Sequence, residues 1–367
     1  MSKLPIKISL DDSFFVAEQK CGFQVTAESK RLWAVLLDLM VEFDAVCKKH
    51  DIKYSLDGGT FLGAVRHKGF IPWDNDVDVI MFRKEYERLC KIAPSEFKAP
   101  YFWQTNETDP GSVRRHGQLR NSMTTCILKD ESENGHPRFG FNQGAFLDVF
   151  ILDEVPDDDQ ELTQFRRELE KKSDELWVFR EYYWDSGQNE WIADSLRQAF
   201  IDFETVLTRY QDSGQKCVCS ISLLPQRLKS SFFAKDLYED LIDYTFEGFT
   251  FPAPRDYDTI LSGLYGDWHK YIIGTETHGG FIMDMEKPYT EYLKERCHHS
   301  IMEADLKKHP ILALYQERDM LLDQRNTAWA DIRQKQSKLK RLRRKLKMMY
   351  VLSAVLALFF FITCFVF

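Results

Sequence analysis

Residues Tyr54–Val79 read YSLDGGTFLGAVRHKGFIPWDNDVDV: a glycine pair, then Arg-His-Lys, then three aspartates at alternate positions. The segment IKYSLDGGT reads as a strand running into a turn. FLGAVRH continues as a helix opened by Gly58, Gly59 and Thr60, whose first backbone N–H groups lack partners within the helix and face an approaching anion. VDVIMF, Val77–Phe82, is a β-rich run, so Asp74, Asp76 and Asp78 stand at a strand entrance. Alternate residues of a strand share a face, which predicts that these carboxylates converge while Asn75 and Val77 turn away. Gathered carboxylates repel one another and raise each other's pKa unless a cation holds them. Hard oxygen ligands of this kind suit Mg²⁺ or Mn²⁺, with substrate phosphates completing the shell. Asp74, Asp76 and Asp78 are therefore expected metal ligands. Gly58, Gly59 and Thr60 are expected to cradle a phosphate, and Arg66, His67 and Lys68 to add positive charge beside it, the arginine through paired hydrogen bonds.

Working outward, Thr26–His50 carries apolar residues at helical spacing (Leu32, Val35, Leu36, Leu39, Phe43, Val46), which predicts an amphipathic helix ahead of the motif. Downstream, GAFLDVFILD (Gly144–Asp153) is a second β-like run with an embedded acid, Asp148. A buried strand rarely holds a charge without a use. The acidic VPDDDQE closes that run and caps a predicted helix, LTQFRRELEKKSDELWVF. Asp185–Leu241 reads as helices with aromatic faces, and FEGFTFPAPRDYDTILSGLYGDW as a strand, a Pro-bounded turn and a short helix.

A strand–GG–helix unit, a DxD at the head of a second strand and a third carboxylate on a later strand is the layout of the nucleotidyltransferase fold, with Asp148 as the third acid. GGTFLGAVRHKGFIPWDNDVDV, LRNSMTT, GAFLDVFILD and FTFPAPRDYDTILSGLYGDW, in that order between Val25 and His269, resemble the LicD family, whose relatives include the fukutin-related enzymes. The resemblance implies an α+β, nucleotidyltransferase-like (polymerase-β-type) mixed sheet with flanking helices. It also implies transfer of a phosphorylated small molecule, phosphocholine or an alditol phosphate, from a CDP-linked donor to a glycan or glycolipid hydroxyl. Carried over residue by residue, Asp76 and Asp78 hold the metal, Asp74 and Asp148 complete the site, and Asp148 or a metal-bound hydroxide takes the acceptor proton. Arg120 and Asn121 contact the donor, while Tyr265, Gly266 and Asp267 shape the acceptor side. The family's usual WDDDID is WDNDVD here; the replaced acid, Asn75, is one expected to face away from the metal. No cysteine cluster matches the zinc loop of the fukutin-related enzymes, so that site is not carried over. The same carboxylates could serve a nucleotidyltransferase releasing pyrophosphate, and an inactive membrane-tethered scaffold is the reading from another class.

Charge narrows the partners. Of the 367 residues, those from Ile311 onward hold 11 basic and 4 acidic side chains, leaving the first 310 at 38 against 53, a net of −15. An acidic body argues against nucleic acid, which is bound through clustered Lys and Arg. The eight cysteines are scattered without metal-ligand spacing, which suits a reducing compartment. Residues 1–24 form an N-terminal extension, 25–300 the catalytic domain, and 311–347 a helical stalk with an imperfect heptad seam (Leu322, Trp329, Ile332, Leu339, Leu346) suited at most to weak self-association. Residues 348–367 form an uncharged run long enough to cross a bilayer as one helix, preceded by KLKRLRRKLK. Basic flanks stay cytoplasmic, so the expectation is a tail anchor with the catalytic domain facing the cytosol.

Overall fold

A computed structural model describes residues 4–128, 132–133, 136–137, 141–185, 190–220, 232–273 and 281–296. The predicted stalk and terminal apolar helix lie outside the described residues, and no helix within them is long and apolar enough to cross a membrane. The chain runs β1 (Glu18–Lys20), β2 (Phe23–Val25), α1 (Ala27–Lys49), β3 (Ser55–Leu56), α2 (Gly58–His67), β4 (Asp78–Phe82), α3 (Arg83–Glu96), β5 (Tyr101–Gln104), β6 (Gly117–Asn121) and β7 (Thr125–Leu128). After the short strands β8 (Ser132–Glu133) and β9 (His136–Pro137) come β10 (Ala145–Val155), α4 (Asp159–Asp185), α5 (Glu190–Leu207), β11 (Cys217–Cys219) and β12 (Phe232–Ala234). The hairpin β13 (Leu241–Phe246) and β14 (Phe249–Pro254), then α6 (Tyr257–Tyr265), β15 (Phe281–Asp284) and α7 (Tyr289–Arg296), complete the order.

Seven of the described strands form one mixed sheet in the order β12-β11-β10-β4-β3, with β6 pairing to β10 and β5 to β6. Its spine is β10, buried along nearly its whole length, as an apolar run covered on both faces requires. β10 pairs in parallel with β4 through Asp148↔Asp78 to Leu152↔Phe82, and antiparallel with β6 through Ala145↔Asn121 to Val149↔Gly117. The parallel register brings two acids far apart in sequence side by side.

α1 covers this sheet. Thr26 caps it by accepting from the Ser29 N–H, Lys48 and Lys49 sit in its last turn, and Trp33, Leu36, Leu37, Met40 and Phe43 are all buried. Its outer face is sealed by the N-terminal residues, of which Leu4, Ile6, Ile8, Leu10 and Phe14 pack on the core. Asp38, 1 % exposed in the middle of α1, accepts from the backbone N–H groups of Lys7 (2.7 Å) and Ile8 (3.0 Å) and from the Tyr101 hydroxyl (2.6 Å). A buried carboxylate needs such donors, so the described part of the N-terminal extension is built into the same folded unit as the sheet.

α4 and α5 pair around a second apolar cluster that includes Phe165, Leu169, Leu176, Phe203 and Leu207. The two cores are joined by Arg83, which grips Asp153 of β10 through Nε (2.7 Å) and Nη2 (2.8 Å) and Glu204 of α5 through Nη1 (2.9 Å). The wholly helical expectation for Asp185–Leu241 needs correcting. α5 ends at Leu207, and β11 and β12 add to the sheet edge. Three-residue strands are too short for periodicity to reveal. The strand expected around Phe249 is the second arm of a hairpin whose turn, Glu247-Gly248, has φ of +48° and +82°, the left-handed pair that a two-residue loop requires.

Candidate active site

The site is assembled where β3 enters α2 and β4 begins. Asp57 ends the strand and is the N-cap of α2, its backbone N–H donating to the Asp78 carbonyl at 3.1 Å. The Asp78 N–H in turn donates to Thr60 Oγ1 at 2.8 Å, so two bonds tie the helix start to the head of β4. Trp33 Nε1 donates to the Asp74 carbonyl at 2.9 Å and stacks on Phe70, centroids 4.6 Å apart, which steadies the turn before the acids. The glycine pair is required because carboxylates fill the space beside it. A Cβ on Gly59 would come within 2.5 Å of Asp74 Oδ2, and one on Gly58, whose φ is +51°, within 3.1 Å of Asp78 Oδ2.

β4 starts at Asp78, so Asp74 and Asp76 lie in the preceding turn and strand alternation is not what brings the triplet together. The turn does so instead, tied to α1 by the Trp33 bond and closed on itself by the Asp74 N–H to Ile71 carbonyl bond (2.9 Å). Asp148 arrives through the β4–β10 register.

These acids are perturbed in opposite directions. Burial, then the neighbouring Asp76, raises Asp74 well above the usual carboxylate range. Burial, then Asp76, Asp148, Asp57 and Asp74, does the same to Asp78. Asp57 is raised to about 6 by burial, against a smaller opposing effect of the Gly58 N–H. Asp148 is also pushed up by burial, but His116, Gln118 and Arg114 outweigh this and hold it below its ordinary value. His116 Nε2 lies 3.0 Å from Asp148 Oδ1, and Gln118 Nε2 donates to the same oxygen.

No three His, Cys, Asp or Glu side chains among the described residues are arranged to hold a metal ion as they stand. The donor set nonetheless fits a hard divalent cation. It offers only carboxylate oxygens, crowded and buried enough that Asp74 and Asp78 resist ionising without added positive charge.

Parts of the chain are similar to known proteins. Residues 51–138 match the LicD/FKTN/FKRP nucleotidyltransferase domain. The matched stretch is similar to a LicD-family domain. Over 248 residues it is 27% identical to the lipopolysaccharide cholinephosphotransferase LicD of Haemophilus influenzae, an overlap covering 64% of this chain and 89% of that protein. Shorter stretches match two uncharacterized proteins, 41% identical over 59 residues in Rickettsia prowazekii and 40% over 63 in Rickettsia typhi. Those stretches cover 22% and 20% of the two Rickettsia proteins.

The structure brings Gly58, Gly59, Asp74, Asp76, Asp78 and Asp148 together and gives other expected residues different work. Thr60 Oγ1 accepts the Asp78 N–H, so its side chain braces the site. Arg66 Nη1 donates to the carbonyls of Trp268 (2.6 Å) and Lys270 (3.1 Å), and its Nε donates to His67 Nε2 (3.0 Å). His67 is lowered to about 4 by burial, then by Arg66 and Lys20, so it is neutral near pH 7 and adds no charge. Lys68 ends α2 with φ of +58°, its side chain exposed.

Arg120 and Asn121, expected at the donor, are corrected to structural roles. Arg120 is 1 % exposed and donates to Gln104 Oε1, the Gly144 carbonyl (2.7 Å) and Gln118 Oε1 (2.6 Å). It thereby orients the Gln118 amide that donates to Asp148. Asn121 donates to the Pro5 carbonyl at 2.7 Å and accepts from the Met123 N–H at 3.1 Å.

Sequence reasoning missed Asp57, His116 and Gln118. Asp57 was legible only as a helix cap. His116 and Gln118 belong to no motif, and only the β6–β10 pairing places them on Asp148.

Proposed function

We propose that this protein transfers a phosphorylated small molecule, phosphocholine or an alditol phosphate, from a CDP-linked donor to a glycan or glycolipid hydroxyl. The observation that carries this is the in-register pair Asp78–Asp148 packed against the glycine-opened end of α2. The similarity to a lipopolysaccharide cholinephosphotransferase supports a glycan acceptor and favours phosphocholine as the group transferred. The apolar run at residues 348–367 supports action at a membrane surface, with the domain facing the cytosol.

Mg²⁺ or Mn²⁺, held by Asp76 and Asp78 with Asp74 and Asp148 completing the set, would supply neutralisation of the phosphoryl and departing CMP oxygens. The chain's own residues do the rest. The Gly59 N–H at the start of α2 faces the anionic donor, while the Gly58 N–H serves the Asp57 carboxyl. Gln118 and His116 fix the Asp148 carboxylate and keep it ionised, which makes it a steady ligand and a poor proton acceptor. Asp57, near 6, is better matched to take the acceptor proton at neutral pH. Phosphoryl transfer needs little other covalent help, so positioning supplies the remaining acceleration.

The test is to supply CDP-choline and CDP-alditols in turn, with Mg²⁺ or with chelator, and to measure the released nucleotide. CMP in Mg²⁺ and none in chelator is expected. Pyrophosphate release from a nucleoside triphosphate, with no CMP from any donor, would reassign the domain to nucleotidyl transfer.

A further inference from the structure

We propose that Tyr265 is a further catalytic residue of this site, its hydroxyl donating to the phosphoryl group in flight, and that Arg66 is its positioning residue. The inference rests on the phosphotransfer reading above and concerns one residue of α2 and the last residue of α6.

Tyr265 is the last residue of α6. That helix is held firmly. Asp256 caps it by accepting from the Thr259 N–H (3.1 Å) and hydroxyl (2.7 Å), Ile260 and Leu261 are buried, and Gly263 lies so close to the Phe233 ring that a Cβ there would come within 2.7 Å. The Tyr265 hydroxyl reaches 3.8 Å from the point a Cβ on Gly58 would occupy, in the space that Asp78 Oδ2 also borders. It makes no hydrogen bond to the described residues, and the residue is 43 % exposed. Asp57, Asp78, Asp74 and Asp76 all lie near enough to act on it, and a phenol hydroxyl facing acids can donate a hydrogen bond. A phenol hydroxyl among acids, with no hydrogen-bond partner of its own among the described residues, suits an oxygen brought by a ligand.

Arg66 secures that placement. It lies two turns along α2 from Gly58, and its Nη1 binds the carbonyls of Trp268 and Lys270, just past Tyr265. Gly266, with φ of +67°, turns the chain between them, and Trp268 Nε1 returns to Asp258 Oδ1 of α6 at 3.0 Å. The guanidinium also stacks on Tyr271, 4.9 Å from its centroid. Arg66 thus latches the Tyr265 segment to the helix whose other end holds the glycine pair.

In the transfer step the acceptor oxygen forms a bond to phosphorus as the bond to the CMP phosphate oxygen breaks, and that oxygen leaves with the electron pair. The acceptor proton passes to the Asp57 carboxylate. Tyr265 keeps its proton throughout and hydrogen-bonds a non-bridging oxygen more strongly as charge gathers there.

The experiment compares Tyr265→Phe, Arg66→Ala and the double variant of the full chain in CMP release, with Arg66→Ala also followed by tryptic cleavage after Lys270. Tyr265→Phe is expected to lower kcat about 100-fold with donor KM changed less than about twofold, the signature of an interaction made in the transition state. Arg66→Ala is expected to lower kcat, leave KM nearly unchanged, and speed the cleavage at least about tenfold. The double variant should be no slower than Tyr265→Phe alone, because the two changes remove one interaction. A Tyr265→Phe enzyme keeping more than about a third of wild-type kcat overturns the catalytic role. Raised donor KM in Arg66→Ala, with losses that multiply in the double variant, makes Arg66 a phosphate grip and overturns the latch, as does unchanged cleavage. Wild-type chain inactive on every CDP-linked donor overturns the phosphotransfer reading and Tyr265's catalytic role with it, while the cleavage rate still decides the latch.

Discussion

Asp57→Asn should make the metal-free protein more stable and at the same time disable it. Burial raises the carboxyl from its ordinary 3.8 to about 6. The unfolded chain therefore releases this proton near 3.8 and the folded chain near 6. Between those values the folded state binds more protons, so stability falls as pH rises through the window, and the full penalty remains above it. The rise corresponds to about 3 kcal/mol at 1.36 kcal/mol per tenfold change in acidity. The amide removes the charge while its oxygen can still accept from the Gly58 N–H. In chelator at pH 7.5 the variant should melt roughly 6–10 °C above wild type, at a few degrees per kcal/mol for a domain of this size. The gap should shrink as pH falls through the window, be small at pH 4, and vanish only below about pH 3, where both states of wild type hold the proton. Thermal melts followed by circular dichroism across pH 4–8 measure this directly. A gap independent of pH, or a variant less stable at pH 7.5, would refute burial as the origin of the shift. CMP release by the variant should fall about 100-fold or more, the usual worth of a positioned proton acceptor.

Three further outcomes are expected. Asp78→Asn should bring CMP release below about a tenth of wild type yet leave melting in chelator unchanged or raised, since it relieves repulsion among Asp57, Asp74, Asp76 and Asp148; surviving activity would remove Asp78 from the metal set. Gly59→Ala should lower activity with little effect on melting, because the new methyl would drive back the Asp74 carboxylate, 2.5 Å from the Cβ position; full activity with Mg²⁺ would show that Asp74 stands outside the site. Arg83→Ala should cost about 3–5 kcal/mol, read from urea unfolding, by leaving Asp153 buried without its partner; a loss below about 1 kcal/mol would show that the α4–α5 pair is not tied to the sheet through this contact.

Much of this site lies within one continuous stretch, and that part was legible. The glycine pair, the helix behind it and the acids ahead of β4 are local features, set by backbone freedom, capping and β propensity over a few residues. The α1 helix and the β10 strand were equally readable, because each carries its burial pattern in its own periodicity. The strand alternation invoked for Asp74 and Asp76 gave the right convergence by the wrong route, since a turn braced by Trp33 does what a pleat was expected to do. Arg66, His67 and Arg120 look in sequence like phosphate ligands. A guanidinium's work depends on which acceptors surround it, and those come from carbonyls 202 residues away for Arg66 and from Gln104, Gln118 and Gly144 for Arg120.

The sequence alone determined the chemistry available: hard oxygen donors at fixed spacing beside a helix start, an acidic body, and an uncharged C-terminal run, all properties of neighbouring residues. Tertiary structure alone decided which acid ionises, which holds a proton, and which cation is occupied. Asp148 meets Asp78 only through the register of two parallel strands, His116 reaches Asp148 only through a third, and Asp57 is raised toward neutrality only because the finished fold takes it out of water. Charge states depend on burial and on distances between chain-remote groups, and neither exists until the sheet has closed around them.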